Sequence, residues 1–460
     1  MSAPVSFLGG RVTLHAGDCR ASVAGLPDAS IDAVVTDPPY ALVSIQKRFG
    51  GPNAAATKDG DVYARSSAGF MGKQWDTGET AFAAGFWAEI LRVLKPGGHL
   101  VAFSGTRTYH RLACAIEDAG FEIRDQLAWT YGTGFPKSHD VSKGIDRHNG
   151  DARPVIGKER LANDIRSGAL LDAGGGDGRP AFERDVTAAA SAASAAWEGW
   201  GTALKPAWEP IVLARKPLVG TVAENVLAHG AGALNIDGCR IAVDDVEPNR
   251  RDNASIDRHG GIGGDGVLGG GAQTSRAPTL QQGRFPANIV HDGSAEVRDA
   301  FGDAPGALRP VRGDERAKRT VNAYGDFGRC DADSLPRNDA GSAARFFYSA
   351  KADADDRIGS KHPTVKPVDL MQWLCRLVTP PGGVVLDPFA GTGTTGEAAW
   401  REGFSAVLCE REPDYCADVA RRMALAEAGP ATRRLEAAKA RGRAQKAAPL
   451  FDLLGGEGAP

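Results

Sequence analysis

No run of about 18 apolar residues occurs along this chain, so no transmembrane helix is expected and no membrane partner. The opening residues MSAPVSFLGGRVTLHAGDCR lack the apolar centre of a signal peptide, and a cytoplasmic protein is the expectation. Of seven cysteines none forms a CxxC pair. An odd count without metal-ligand spacing argues against a disulfide framework and a zinc site, and for reduced thiols. An excess of positive charge is missing too: the net charge is -3, whereas proteins that simply coat nucleic acid are basic overall. Uneven charge still permits DNA binding, and the stretch Arg433 to Lys446 carries six basic residues against one acid, Glu436. There is no internal repeat. Glycine, by contrast, is abundant at 59 of 460 residues, much of it in loop-like stretches that imply long irregular insertions. A hydrophobic content of 42% and a charged content of 24% are ordinary for a globular chain with a sizeable core.

Residues 1–150 alternate short apolar strands with amphipathic helices. Asp32 to Thr36 reads as a strand, and Phe82 to Leu94 as a helix with apolar residues at Phe82, Phe86, Ile90 and Leu94. Lys95-Pro-Gly-Gly98 stops that helix, and His99 to Ser104, Thr108 to Ala119 and Glu122 to Thr130 continue as strand, helix and strand. Residues 151–195, with GGGDG and TAAASAASAA, read as a flexible insertion. Residues 196–218 hold a strand, Ala207 to Lys216, that returns to the sheet. Residues 219–345 are rich in Gly, Asp, Asn and Arg, and GGIGGDGVLGGG at 260–271 reads as a mobile loop. Regular alternation resumes over 346–430: helix Val368 to Val378, strand Gly383 to Leu386, helix Thr394 to Glu402, strand Ser405 to Cys409, helix Asp414 to Glu427. Residues 431–460 form a basic tail expected to be disordered. Strand–helix alternation at both ends favours one α/β layered domain interrupted by a loose centre.

Two constellations carry chemistry. Thr36-Asp37-Pro38-Pro39-Tyr40 directly follows a strand. The prolines fix the backbone and remove two N–H donors, leaving neighbouring carbonyls free to accept outward. Asp37 adds another acceptor and Tyr40 a flat face. Acceptors beside a ring are what an amino group on a planar heterocycle requires. A strand-ending turn is the alternative. The second constellation, Val384-Val-Leu-Asp387-Pro-Phe-Ala-Gly391-Thr-Gly393-Thr-Thr395, is a β-branched strand running into a glycine bend and a helix. Glycines 391 and 393 permit close backbone approach to a ligand, and the helix N-terminus favours a carboxylate. The next strand ends at Glu410, placed to accept both ribose hydroxyls of a nucleoside. A mononucleotide site fits this part equally well, but neither the Walker pattern nor the full dinucleotide fingerprint is present. To cooperate, the two constellations must share the C-terminal edge of one parallel sheet.

Together, DPPY near the start and DPFAGTGTT near the end resemble the DNA methyltransferases that methylate adenine N6 or cytosine N4. The order, catalytic motif first, resembles the β class. Gly17-Asp18-Cys19 resembles that family's cofactor-adenine strand, and Leu94 to Gly98 the step after its catalytic loop. His362-Pro-Thr-Val-Lys-Pro367 resembles the segment closing over the methionine part of the cofactor. GFPKSHDVSKGID at 134–146 and LKPAWEPIVLARKP at 204–217 are similar to segments of phage and prophage enzymes. The resemblance implies a Rossmann-like S-adenosylmethionine-dependent fold, mostly parallel with helices on both faces, plus an irregular target-recognition region within 219–345. It implies Asp37, Pro38, Pro39 and Tyr40 as catalytic, and Asp18, Cys19, Asp37, Lys366, Pro367, Asp387, Phe389, Gly391, Gly393, Thr394 and Glu410 as S-adenosylmethionine-binding, with no metal. The implied substrate is double-stranded DNA with an extruded base; a homodimer and a partner restriction endonuclease are compatible with it. DPPY is more typical of adenine N6 than of cytosine N4.

Other residues have two readings each. Phe389 contacts the cofactor or packs in the core; Lys366 meets a carboxylate or phosphate or is solvated. Trp129 and Tyr131 hold the base or, for Trp129 above all, fill the core. Lys137, Ser138 and His139 contact phosphate or form a plain loop. Competing functions are RNA adenine methylation, protein glutamine methylation and a catalytically inactive DNA-binding module. Glutamine methylases place the cofactor loop first and usually show Asn before Pro-Pro-Tyr, unlike this chain. Intact Asp37, Tyr40, Asp387 and Glu410 argue against decay.

Overall fold

A computed structural model describes residues 3–40, 79–132, 134, 138–161, 182–241, 283–303, 320–322, 325–327, 341–350, 354–360, 362 and 364–447. The glycine run at 260–271 and Lys137 lie outside these residues.

The strands in chain order are β1 (Val5–Phe7), β2 (Val12–Ala16), β3 (Ile31–Thr36), β4 (Leu94–Phe103), β5 (Glu122–Thr130), β6 (Val155–Leu161), β7 (Phe182–Thr187), β8 (Trp208–Arg215), β9 (Ile289–His291), β10 (Thr320–Asn322), β11 (Gly325–Phe327), β12 (Tyr348–Ser349), β13 (Val384–Asp387) and β14 (Ser405–Glu410). Ten of them form one sheet in the order β1-β2-β14-β13-β3-β4-β8-β5-β9-β12. Only β1 and β8 run against the rest.

Side-chain alternation shows why the sheet is covered on both sides. Successive strand residues point to opposite faces. On β3, Ala33 and Val35 join one core and Val34 the other; on β4, Val101 and Phe103 join the first and Leu100 and Ala102 the second. β8 repeats the pattern with Ile211 and Leu213 against Val212 and Ala214. The first core is covered by the helix Val368–Val378, with Trp373 and Leu374 fully buried, and by Ala398, Val419 and Met423 of later helices. The second is covered by Val23, by Phe86, Trp87 and Ile90 of the helix Ala84–Val93, and by Leu112 and Ile116 of the helix Tyr109–Asp118. Each fully buried large apolar side chain contributes about 1.5–3 kcal/mol.

The middle of the chain is more ordered than its composition suggests. The expected flexible insertion carries the antiparallel pair β6–β7, fastened by Arg153 to the buried Asp146 at 2.5 Å. Within 219–345, a buried Asn225 accepts from Val219 N and donates to Pro96 O and Ala231 O, docking the helix Val222–His229 on the first residues of β4. β9 lengthens the sheet in the same region. The basic stretch expected to be disordered is helical as far as Ala447, within Pro413–Ala447, with a break at Gly429. Low hydrophobicity misled there, because ion pairs rather than apolar contacts tether it: Arg433 is buried against Glu397 and Asp356. No helix among the described residues is long and apolar enough to cross a membrane.

Candidate active site

β3 and β13 are neighbours, yet the chain leaves β3 toward β4 and leaves β13 toward β14, on opposite sides. Strand order therefore reverses between them, and a crevice opens at their C-terminal ends, where open α/β sheets bind ligands. Both sequence constellations converge on it. The Thr36 hydroxyl donates to Asp387 Oδ1 at 2.6 Å, 351 positions away in the chain. Asp387 also accepts from Thr395 Oγ1 at 2.5 Å and from Phe389 N at 3.0 Å, which shapes the bend after β13. Burial pushes its carboxyl up to about 6, against the pull of those donors.

The bend is built for close approach. Gly391 and Gly393 adopt φ of +52° and +78°, and a Cβ at Gly391 would stand 3.3 Å from His362 Nε2. One carboxylate of Glu410 accepts from Gly391 N and Glu412 N, each at 2.8 Å. Burial pushes Glu410 up to about 7. Because β14 pairs with β2 through Glu410 and Ala16, the turn Gly17-Asp18-Cys19 lies beside Glu410, and Gly17 N donates to Glu410 O at 2.8 Å. Asp18 caps the following helix and pairs with Arg20, whose hydrogen bond holds its carboxyl low. Burial pushes the Cys19 thiol up to about 12, which keeps it in the thiol form. Beneath the bend Arg422, fully buried, donates to Thr392 O at 2.7 Å, Glu397 Oε2 at 2.9 Å and Asp356 O at 2.6 Å.

Across the crevice, Lys366 Nζ donates to Asp37 Oδ2 at 2.7 Å and to Tyr40 Oη at 3.1 Å, and pairs with Glu209 Oε2 at 3.1 Å. Tyr40 Oη in turn donates to the same Glu209 oxygen at 3.0 Å. Burial alone would pull the Lys366 ammonium down, but Asp37 and Glu209 outweigh it and hold it protonated. Burial, then the charges of Asp37 and Glu209, keep the Tyr40 hydroxyl neutral well beyond its usual range. Thr108 Oγ1 donates to Tyr40 O at 2.9 Å, fixing the turn from the helix side. The outcome is asymmetric for Asp37: Oδ2 is held, whereas Oδ1 is buried without a hydrogen-bond partner among the described residues.

The segment that carries Lys366 and Pro367 thus spans the crevice, with His362 over Gly391 and Lys366 on Asp37. Lys366 is buried and paired, not solvated. Thr394 is buried at the start of its helix, and Pro38 is buried under the turn while Pro39 is half-buried. Half-buried Phe389 lies against the second core, 5.4 Å from the Phe86 ring. Trp129 fills the first core, and half-buried Tyr131 is pushed up to about 12 by burial and Glu209. Ser138 and His139 fasten their own loop to Thr202. Two participants escaped the sequence reading. Glu209 betrays itself only as an acid next to a proline at the head of an apolar strand. Arg422 stands at core spacing among Val419, Met423 and Ala426, a position where a cation requires buried partners.

A profile of the N6/N4 DNA methylase family matches residues 31–156 and 310–421, just over half of the chain. The type II methyltransferase M.HindIII of Haemophilus influenzae is 24% identical over 241 residues, covering 48% of this chain. The chain spans 64% of that relative's length, under two thirds. Among solved structures, the M1.HpyAVI–SAM complex is 14% identical, covers 90% of this chain and 100% of its own, and superposes with a TM-score of 0.35. PvuII DNA methyltransferase (cytosine-N4-specific) is 14% identical with coverages of 90% and 86% and a TM-score of 0.35. The matched segments contain Asp37, the glycine bend and Glu410, and on that match the chain belongs to the N6/N4 DNA methylase family.

Proposed function

We propose that this chain transfers a methyl group from S-adenosylmethionine to the exocyclic amino nitrogen of a base in duplex DNA, adenine N6 in particular. The observation that carries the reading is the divided Asp37 carboxylate. A ring amine is a poor nucleophile because its lone pair is delocalised. Asp37 Oδ1, desolvated and unpaired, is an acceptor waiting for an N–H donor, since a buried polar atom without a partner costs about 1–3 kcal/mol. An amino group donating to Oδ1 and to the carbonyl beside Pro39 is drawn toward a pyramidal nitrogen with a localised lone pair. Tyr40 offers its ring for stacking. A stacked base cannot reach this crevice, so the target must swing out of the duplex.

The crevice suits S-adenosylmethionine. Glu410 can accept two ribose hydroxyls, the glycine bend admits backbone approach, and the N-terminus of the helix Thr394–Arg401 attracts a carboxylate. When bound, the cofactor supplies an electrophilic methyl on a sulfonium. An amino nitrogen held by Asp37 would take that methyl as its bond to sulfur breaks, and one amino proton would pass to Asp37 and solvent. Base selection is assigned to residues 219–345, through groove contacts.

The test is transfer of labelled methyl to unmodified duplex DNA, followed by nucleoside analysis. N6-methyladenine is expected, with activity lost and cofactor binding kept in Asp37→Ala. N4-methylcytosine would correct the base, and label on RNA alone would overturn the reading.

A further inference from the structure

We infer that Glu209 is a positioning residue for the methyl transfer, setting the charge of the Asp37–Lys366 pair and the angle of the Tyr40 ring; this rests on the methyltransferase reading above.

The fold explains how Glu209 arrives there. β8 runs against its neighbours, so its first residues, not its last, stand at the C-terminal edge of the sheet. Glu209 is therefore delivered to the crevice from a strand that carries neither the Asp37–Tyr40 turn nor the glycine bend. One of its oxygens, Oε2, meets both Lys366 Nζ at 3.1 Å and Tyr40 Oη at 3.0 Å. The Tyr40 ring, fixed at its backbone by Thr108, is thereby fixed at its far end as well.

The electrostatic consequence is larger than the steric one. Asp37, Lys366 and Glu209 together carry one net negative charge. During transfer the amino nitrogen gains positive character next to Asp37. A fixed negative field in a dry site stabilises that developing charge without reorganisation. With Glu209 neutral, Lys366 would cancel Asp37 outright. Lys366 would also be free to settle wholly on Asp37, including the oxygen that must meet the amine.

The test compares Glu209→Gln, which keeps shape and the Tyr40 contact but removes charge, with the double variant Glu209→Gln/Lys366→Met, in which Asp37 alone restores one negative charge. At saturating DNA and cofactor, the single variant is expected to slow single-turnover transfer about tenfold or more with KM for both little changed, and the double variant to regain part of that loss. Wild-type rate in Glu209→Gln, an effect confined to KM, or a further multiplicative loss in the double variant would overturn the inference. If the double variant does not fold, Glu209→Asp decides: a rate nearer to wild type than that of the Gln variant supports the charge role, and a slower one overturns it. Wild-type protein that transfers no methyl to any nucleic acid refutes the parent reading instead, a result separable from these.

Discussion

The Thr36 hydroxyl and the Asp387 carboxylate, 2.6 Å apart, tie the Asp37–Tyr40 turn, the proposed substrate side, to the glycine bend after β13, the proposed cofactor side. Thr36 is the last residue of β3 and Asp387 the last of β13, so the link is set by strand pairing rather than by loop conformation. Removing the hydroxyl in Thr36→Val leaves Asp387 short of a donor in a dry site. Stability is expected to fall by about 1–3 kcal/mol in urea denaturation, with the m-value unchanged.

Glu410 titrates in a useful range. Its carboxyl is pushed up to about 7, and ribose hydroxyls favour the ionised form. S-adenosylmethionine affinity should therefore rise between pH 5 and 7, by up to ~10-fold per unit, and level off above. Calorimetry in buffers of different ionisation enthalpy should detect proton release on binding near pH 6. Glu410→Gln should bind weakly at every pH, with no such release.

The same shift predicts the stability of the free protein. A raised carboxyl pKa means that the folded state binds protons more tightly than the unfolded chain. The stabilisation is complete below the ordinary carboxylate range and is lost as pH climbs through about 6 for Asp387 and about 7 for Glu410. Glu410→Gln should flatten the fall in melting temperature across that window; an unchanged slope would contradict the assignment.

Arg422→Met removes a cation that is fully enclosed with Glu397. Glu397 would keep Arg433 and Arg401, but Thr392 O and Asp356 O would lose their donor. A loss of about 3–5 kcal/mol is expected in denaturant titration, and Arg422→Lys should rescue little because an ammonium cannot reproduce the planar fork.

Gly393→Ala probes the bend. Its φ of +78° disfavours an L side chain, and a Cβ would stand 3.1 Å from Val419. Weaker S-adenosylmethionine binding is expected, with a stability loss of about 1–2 kcal/mol by thermal melting.

What the sequence disclosed follows from local physics. β3, the apolar half of β4, β13, the helix Val368–Val378 and both motifs announce themselves through apolar runs, helical spacing and glycine or proline punctuation. Strand order was constrained because the two motifs needed one shared edge. Glu209 stayed hidden because its role depends on β8 running antiparallel, a non-local property. Arg433 read as part of a solvated basic tail, and the partners that bury it and Arg422 are remote in sequence. β9 is only three residues long, too short for alternation to register.

Thr130 at the end of β5 and Trp208 at the start of β8 are cross-strand partners. The chain therefore leaves β5 and rejoins β8 at adjacent ends of the two strands. Such a doorway sets the intervening segment apart from the sheet, so a change in its length is expected to leave the register of β5 and β8, and with it the place of Glu209, intact.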